Sequence, residues 1–386
     1  MNGRVHNRTP GFYFIDLWGD DPFERGKAHG ELLREEIASI VASIPVFIRA
    51  VARGKLLAGL RFNPPQWLIT LTSAYLTGQF EKAARHFFHY FPEEIQKEIY
   101  GLAEGSQQPL ISILLINTFD DIHSAAIACS GVAIKEKDGT FLYGYNLDYF
   151  SFTRIMAKLT TVFRIKTSKG SFFSVAVPGY IGILRGMNNH GLAIGYLTSS
   201  ASGIKNTGIA VGILLRLALT ESKTVTEAVD YLSFHRALHG INILLGNADK
   251  AVVLESAPEW RAVIEPRTQN NLDVLAITNH YRNPEMQKLQ TNPMPLPGLG
   301  TPLELYGLAY SQKRLDLLEK QLQETPSGKL ADCLRMLKSV CHNFTVSSCL
   351  FNPAEQELLL IHNNGATPAT HGSPTSIRLN GTHPLM

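Results

Sequence analysis

The stretch CSGVAIKEKDGTFLYGYNLDYF, residues 129–150, decides how this chain is read. Two apolar, aromatic-rich runs flank Lys137-Asp138-Gly139, a pattern that predicts two strands joined by a turn. The pattern recurs downstream. LTTVFRIKTSKGSFFSVAVPG (159–179) predicts a second hairpin turning at 168–170, and RGMNNHGLAIGYLTS (185–199) a third turning at 188–191. Further strands are expected at 241–246, 251–255 and 274–278, and a last hairpin over 345–361.

Upstream of residue 129 the spacing is helical. Residues 22–43 open on Asp21 as N-cap, Pro22 at the first helical position and Glu24 in the first turn. Leu32, Leu33, Ile37, Ile40 and Val41 then recur at helical period. Other helices are predicted from Pro64 to about residue 79, from Pro92 to Gly105, and over 110–121, so the first third is read as helical. Later helices fall at 209–221, from the capping-box sequence Thr224-Val225-Thr226-Glu227, and at 308–322 and 330–340. The tail from about His371 is rich in Gly, Ser, Thr and Pro and is expected to be poorly ordered. Antiparallel strands interleaved with long helices predict an α+β fold in which helices cover a two-sheet core.

Composition bounds the function. The 386 residues are 45% hydrophobic and 18% charged, enough for one large domain or two average ones. Lys and Arg number 36 against 33 Asp and Glu, without a dense basic run, so no nucleic-acid partner is expected. Cysteines stand at 129, 333, 341 and 349 with no Cys-x-x-Cys pair, which argues against zinc ribbons and for a reducing, cytoplasmic setting. MNGRVHNRTPGF, residues 1–12, lacks the apolar core of a secretory signal, and no run of about 18 uninterrupted apolar residues predicts a membrane span. His235 and His239 are spaced i, i+4, but Arg236 stands where a zincin helix carries glutamate. No metal or other cofactor is expected.

Cys129 starts a strand directly after the small, apolar segment 124–128 and 19 residues before Asp148. Alone, such a cysteine reads as a buried small hydrophobe. Its surroundings change that. Cys129-Ser130 followed by Gly144-Tyr145-Asn146-Leu147-Asp148 resembles the opening of the mature chain in the penicillin acyltransferase and linear-amide C–N hydrolase group of Ntn hydrolases. That group includes acyl-CoA:6-aminopenicillanate acyltransferases, N-acylethanolamine amidases and acid ceramidases. Further stretches match in order: ERGKAHGELLREEI (24–37), GLAEG (101–105), GMNNHGLAI (186–194), ITNHY (277–281), SQKR (311–314) and TVSSCLFNPAEQELLLI (345–361).

The resemblance implies a four-layer αββα sandwich. Residues 1–128 would form a helical α-subunit, interlocked with a catalytic β-subunit of residues 129–386 as a heterodimer after self-cleavage between Ala128 and Cys129. The freed α-amine would then serve as base for its own thiol. Asp148 would orient that amine, Asn279 would donate to the tetrahedral oxyanion, and Arg314 would contact the cluster and lower nearby pKa values. Tyr145 stands where bile-salt hydrolases and ethanolamide amidases carry arginine. Thr198 falls near a second oxyanion position, Asn146 lies within the Gly-x-Asn-x-Asp motif, and His280 follows Asn279 as in the acyltransferase branch. The implied activity is hydrolysis of a linear amide of an acylated small molecule (fatty-acid amide, N-acyl amino acid or penicillin-like) through an acyl-enzyme. Two alternatives stand beside it: acyl transfer to an amine, and an unprocessed relative that binds lipids or partners. The apolar stretches 67–75 and 87–91 are read as core-facing, with an acyl tunnel or peripheral membrane contact as their second use.

Overall fold

In the computed structural model the described residues are 2–59, 63–122, 127–135, 139–150, 152–203, 207–235, 237–269, 272–292, 305, 307–323 and 330–381. Residues 124–126, Lys137, Asp138 and Arg236, named above, lie outside them. The chain opens with strands β1 (Gly3–Thr9) and β2 (Phe12–Trp18), then helices α1 (Pro22–Leu32), α2 (Arg34–Gly59), α3 (Gln66–Phe88), α4 (Glu93–Ser106) and α5 (Leu110–Ile122). Next come β3 (Ile127–Lys135), β4 (Phe141–Tyr149), α6 (Thr153–Lys158), β5 (Thr161–Thr167), β6 (Gly170–Ala176), β7 (Arg185–Asn188) and β8 (Ala193–Thr198). Helices α7 (Val211–Glu221) and α8 (Val225–Phe234) lead to β9 (Ile241–Gly246), β10 (Ala251–Ser256), β11 (Arg261–Ile264), β12 (Arg267–Gln269) and β13 (Leu272–Ile277). The chain ends through α9 (Pro284–Gln287), α10 (Gly307–Gln323), α11 (Leu330–Ser339), β14 (Thr345–Asn352), β15 (Glu357–His362) and β16 (Ser373–Arg378).

Among the described residues the strands form two sheets. The larger runs β1-β2-β5-β6-β7-β8-β9-β10-β11 and the smaller β12-β13-β3-β4-β14-β15-β16. Alternation along the strands separates their faces. In β3 and β4, Cys129, Ala133, Tyr143, Tyr145 and Leu147 point into the space between the sheets and pack with β8 and β9. Val132, Ile134 and Leu142 point the other way, onto Leu315 and Leu318 of α10 and Met336 and Leu337 of α11. The far face of the larger sheet is covered by helices, α7 above all, whose Leu219 and Ser222 carbonyls accept from Asn188 Nδ2. The layer order is helices, sheet, sheet, helices: α+β, as expected.

Three elements depart from the sequence reading. Residues 1–128 are not wholly helical, because β1 and β2 open the chain. The polar run of β1 becomes a strand only by pairing with β2, and β2 pairs in parallel with β5 from beyond Cys129. Residues 22–43 are not one helix but break at Leu33, since α1 packs on α4 while α2 runs on to pack against α3. The tail is not disordered up to residue 378: β16 adds to β15 in register from Glu357↔Arg378 to His362↔Ser373. Helix α2 is also long and apolar enough to cross a membrane by length and composition, yet Ile44, Phe47, Ile48 and Val51 of this helix are in the core.

The α1–α4 contact is unusually close. A Cβ at Gly26 would meet the Glu98 carbonyl, and one at Gly101 the Phe23 carbonyl, so both positions need a hydrogen. Beside this crossing, Glu98 is buried between two guanidiniums, with Arg25 Nη2 at 2.5 Å and Arg216 Nη2 at 2.7 Å. Burial pushes the Glu98 carboxyl up, but Arg216 and Arg25 outweigh it and bring it down to about 2. Gly101→Ala should cost about 1–3 kcal/mol in chemical denaturation, because backbone must move. Glu98→Gln should cost about 3–5 kcal/mol at neutral pH by leaving buried guanidiniums unpaired. A depressed carboxylate stabilises above its unfolded pKa and loses that contribution as pH falls through the folded one. Glu98→Gln should therefore flatten the stability profile between pH 4.5 and about 2.

Candidate active site

The site is assembled where β3 meets β4 and β13. Register places Ala128 opposite Asp148 and Cys129 opposite Leu147. β13 pairs with β3 up to Ile277↔Gly131, so the chain leaving β13 brings Asn279 to the start of β3. There the Cys129 backbone N–H donates to Asn279 Oδ1 at 2.8 Å. From α10, Arg314 Nη2 donates to the same Oδ1 at 2.7 Å, while Nη1 donates to the Cys129 carbonyl at 2.5 Å and to Ser130 Oγ at 2.9 Å. The N–H and the carbonyl of one residue are therefore both held by a two-side-chain clamp. Arg314 is 2% exposed, so these are charge-assisted bonds shielded from water.

Asp148 lies across from the Ala128–Cys129 bond on the α10 side of the sheet, fully buried. Its Oδ1 accepts from Thr345 Oγ1 at 2.6 Å. Oδ2 makes no hydrogen bond among the described residues; His342 Nε2 stands 3.5 Å away and Arg314 Nη1 3.8 Å. Burial acts to raise the Asp148 carboxyl, but His342, Arg314 and Thr345 together hold it below the usual carboxylate range. His342 Nδ1 accepts from Phe344 N at 3.1 Å, which leaves Nε2 as the protonated nitrogen facing Asp148.

The Cys129 thiol points away from Asp148, into the space between the sheets. Burial first, then the Asp148 charge, push the thiol up to about 12; Arg185 and Arg314 pull the other way. Leu147, the partner of Cys129 in β4, helps line an apolar cavity of about 620 Å³ of empty space, open solvent included, although Cys129 itself is not among its walls. Its walls include Ile44, Phe119, Leu147, Tyr149, Met156 and Leu184. Its one carboxylate, Asp120, accepts from the Tyr149 and Tyr196 hydroxyls and is pushed up to about 6 by burial, against those two bonds.

The four principal sequence candidates thus converge on one residue: Asn279 on the Cys129 N–H, Arg314 on the Cys129 carbonyl, and Asp148 in register with Ala128. Thr198 joins them: Asn279 Nδ2 donates to its carbonyl at 2.7 Å and to its hydroxyl at 3.3 Å. The nitrogen expected to face an oxyanion is thus engaged by Thr198, while Oδ1 accepts from the Cys129 N–H and from Arg314. His280 sits behind Arg314, its Nδ1 2.8 Å from Ser311 Oγ, and burial, then Arg314 and Arg282, lower its pKa. Tyr145 and Asn146 stay outside the clamp. The Tyr145 hydroxyl donates to the Leu244 carbonyl at 3.1 Å; Asn146 Nδ2 donates to the Leu337 carbonyl at 2.9 Å, tying β4 to α11. Sequence reading missed His342 and Arg185. An arginine inside the apolar run Ile181-Gly182-Ile183-Leu184-Arg185 was the available signal for the second; His342 carries none. Among the described residues no group of acidic, His and Cys side chains is arranged to hold a metal.

The chain is similar to several known proteins. The Emericella nidulans 40 kDa form of acyl-coenzyme A:6-aminopenicillanic-acid acyltransferase is 28% identical over 167 residues, 42% of this chain and 45% of that protein. The Caenorhabditis elegans N-acylethanolamine-hydrolyzing acid amidase is 27% identical over 198 residues, 47% of this chain and 55% of that protein. A solved structure of the Caenorhabditis elegans amidase ortholog shares 19% identity at a TM-score of 0.45, covering 58% of this chain and 93% of that one. The chain spans about half the length of the curated relatives it matches. Residues 134–362, more than half the chain and including Asp148, Asn279 and Arg314, match the family described as acyl-coenzyme A:6-aminopenicillanic acid acyl-transferase, and the chain belongs to that family.

Proposed function

We propose that this chain is a cysteine amidase that cuts its own Ala128–Cys129 bond and then forms an acyl-enzyme on Cys129. The observation that carries this reading is the clamp: Asn279 on the Cys129 N–H, Arg314 on its carbonyl, and Asp148 across from Ala128. Such convergence on one residue, whose N–H belongs to the Ala128–Cys129 bond, has a use if that bond reacts. In the first step Sγ adds to the Ala128 carbonyl carbon, the C–N bond breaks, and the Cys129 nitrogen leaves with a proton. That shift, in which the Sγ proton passes to the nitrogen, frees the Cys129 α-amine, and water then hydrolyses the thioester to an Ala128 carboxylate and the Cys129 thiol.

In turnover that amine takes the thiol proton. The thiolate adds to a substrate amide, the amine returns the proton to the leaving nitrogen, and water releases the acyl group. The apolar cavity lined by Leu147, the strand partner of Cys129, supports an acyl chain as the bound part of the substrate. The two pieces, 1–128 and 129–386, stay together in this reading because β2 and β5 share a sheet. On α3, Trp67, Leu71 and Tyr75 form an exposed apolar stripe at i, i+4, i+8, which supports lipid or membrane contact. Acyl transfer to an amine is the second reading, supported by the family's description.

Intact-mass analysis after incubation at mildly acid and neutral pH should show fragments of 128 and 258 residues, and Cys129→Ala should remain whole. A wild-type chain that stays uncut sinks the proposal. The cut protein should release amine in a burst from one or more of N-acyl ethanolamines, N-acyl amino acids, ceramide or penicillin V. Competition between water and added amines separates hydrolysis from transfer. Asn279→Ala should slow turnover about 100- to 1,000-fold. His342→Asn removes a group that helps hold Asp148 below the usual carboxylate range, so the acid limb of the pH–rate profile should move to higher pH; an unmoved limb rules out this role for His342.

A further inference from the structure

Arg185 is buried at 3% exposure on β7, in the space between the two sheets. Its Nη2 donates to Ser347 Oγ at 2.8 Å and its Nη1 to the Ser347 carbonyl at 3.4 Å, while its Nε is buried with no partner. Among the described residues no carboxylate pairs with it. The contrast with Arg25 and Arg216, which share Glu98, is direct. A buried guanidinium resting only on neutral acceptors is costly, and such a charge implies an anion in the working state.

Register shows where that anion would be. Cys129, Leu147 and Ser347 lie side by side across β3, β4 and β14. Residues directly opposite one another project from the same face, so the thiol and Ser347 Oγ share the space between the sheets. Asp148 and Ser130, each one residue along, project from the other face, where Arg314 holds Ser130. Arg185 therefore stands on the thiol's side of the sheet and Arg314 on the opposite side. Gly195, paired with Arg185, leaves room for this: a Cβ there would run into the Tyr145 ring and the Arg185 stem.

The other charged and titratable groups about Cys129 leave the task to Arg185. From β4 come Asp148, on the far face, and two phenols kept neutral: Tyr145 by burial, then Cys349, and Tyr149 by burial, then Asp120. β14 offers only Cys349, a thiol that burial pushes up to about 11. Asp120 of α5 lies behind Tyr149, and His342 lies behind Asp148. Arg185 also exerts the larger downward pull on the Cys129 thiol, ahead of Arg314.

We propose that Arg185 is a positioning residue that supplies the fixed positive charge holding Cys129 as a thiolate. This rests on the reading of Cys129 as nucleophile. The proton leaving Sγ goes to the freed α-amine; the ammonium then faces Asp148 on one side of the sheet and the thiolate faces Arg185 on the other. The two halves of the ion pair are stabilised separately.

The test is the pH dependence of Cys129 alkylation by iodoacetamide in the processed wild type, Arg185→Met and Arg185→Lys. Peptide mass spectrometry reads Cys129 against Cys333 and Cys349 in the same digest. The midpoint for Arg185→Met should rise by about one pH unit or more, with alkylation below the midpoint slowed about tenfold, while Arg185→Lys stays near wild type. A processed Arg185→Met with the wild-type midpoint overturns the proposal. If Arg185→Met does not fold or is not cut, Arg185→Lys decides. A wild-type midpoint there supports the charge role, and a rise of one unit or more despite the retained charge overturns it. A wild-type chain that is never cut overturns the function proposed above and this inference with it, whereas a cut, acylated wild type with an indifferent Arg185→Met overturns this inference alone.

Discussion

The pairing of β3 with β4, Ala128 against Asp148 and Cys129 against Leu147, is the constraint on which the rest of the site depends. A strand has two faces, and one step along it reverses the side chain. This register sends the thiol into the space between the sheets and the carboxylate to the α10 side, with the peptide bond between Ala128 and Cys129 held in the sheet itself. A slip of one residue would exchange the two environments. The apolar faces prevent it, because Val132 and Leu142 fit α10 and α11 whereas Tyr143 and Tyr145 fit the other sheet.

Buried charge is the second theme, and the chain handles it in three ways. Glu98 is compensated fully, by two guanidiniums, and ties α4 to α1 and α7. Asp148 is compensated in part: one oxygen is bonded to Thr345, the other only approached by His342 and Arg314. Arg185 has only a serine's hydroxyl and carbonyl. Incomplete compensation costs stability, and here it is concentrated within a few strands of Cys129. Under the function proposed for Cys129, that placement suits a site that accepts new charge during reaction.

The elements that carry their own apolar period or their own caps were legible before folding. Asp21 caps α1 through the Phe23 and Glu24 amides, and Thr224 and Glu227 form the reciprocal capping box of α8. The hairpins β3–β4, β5–β6 and β7–β8 pair as their turns predict. β1 and β16 were not legible. Their runs, GRVHNRT and SPTSIR, lack a buried apolar face, and they are strands only because a sheet edge offers backbone partners. The same limit applied to Tyr145, whose place in the motif suggested a role at the thiol but whose side chain spans the core to Leu244.

Periodicity and turn composition, which are local properties of the chain, were enough for the α+β layering and the hairpin around Cys129, whereas Asp148, Asn279 and Arg314 stood out only through the resemblance to the penicillin acyltransferase group. Which atoms meet emerged from folding alone: Asn279 turns its oxygen to the Cys129 N–H, Thr198 holds its nitrogen, His342 stands beside Asp148 and Arg185 shares a face with the thiol. These are contacts between elements far apart in sequence. Their geometry follows from sheet register and from which face is buried, and neither is written in any single segment.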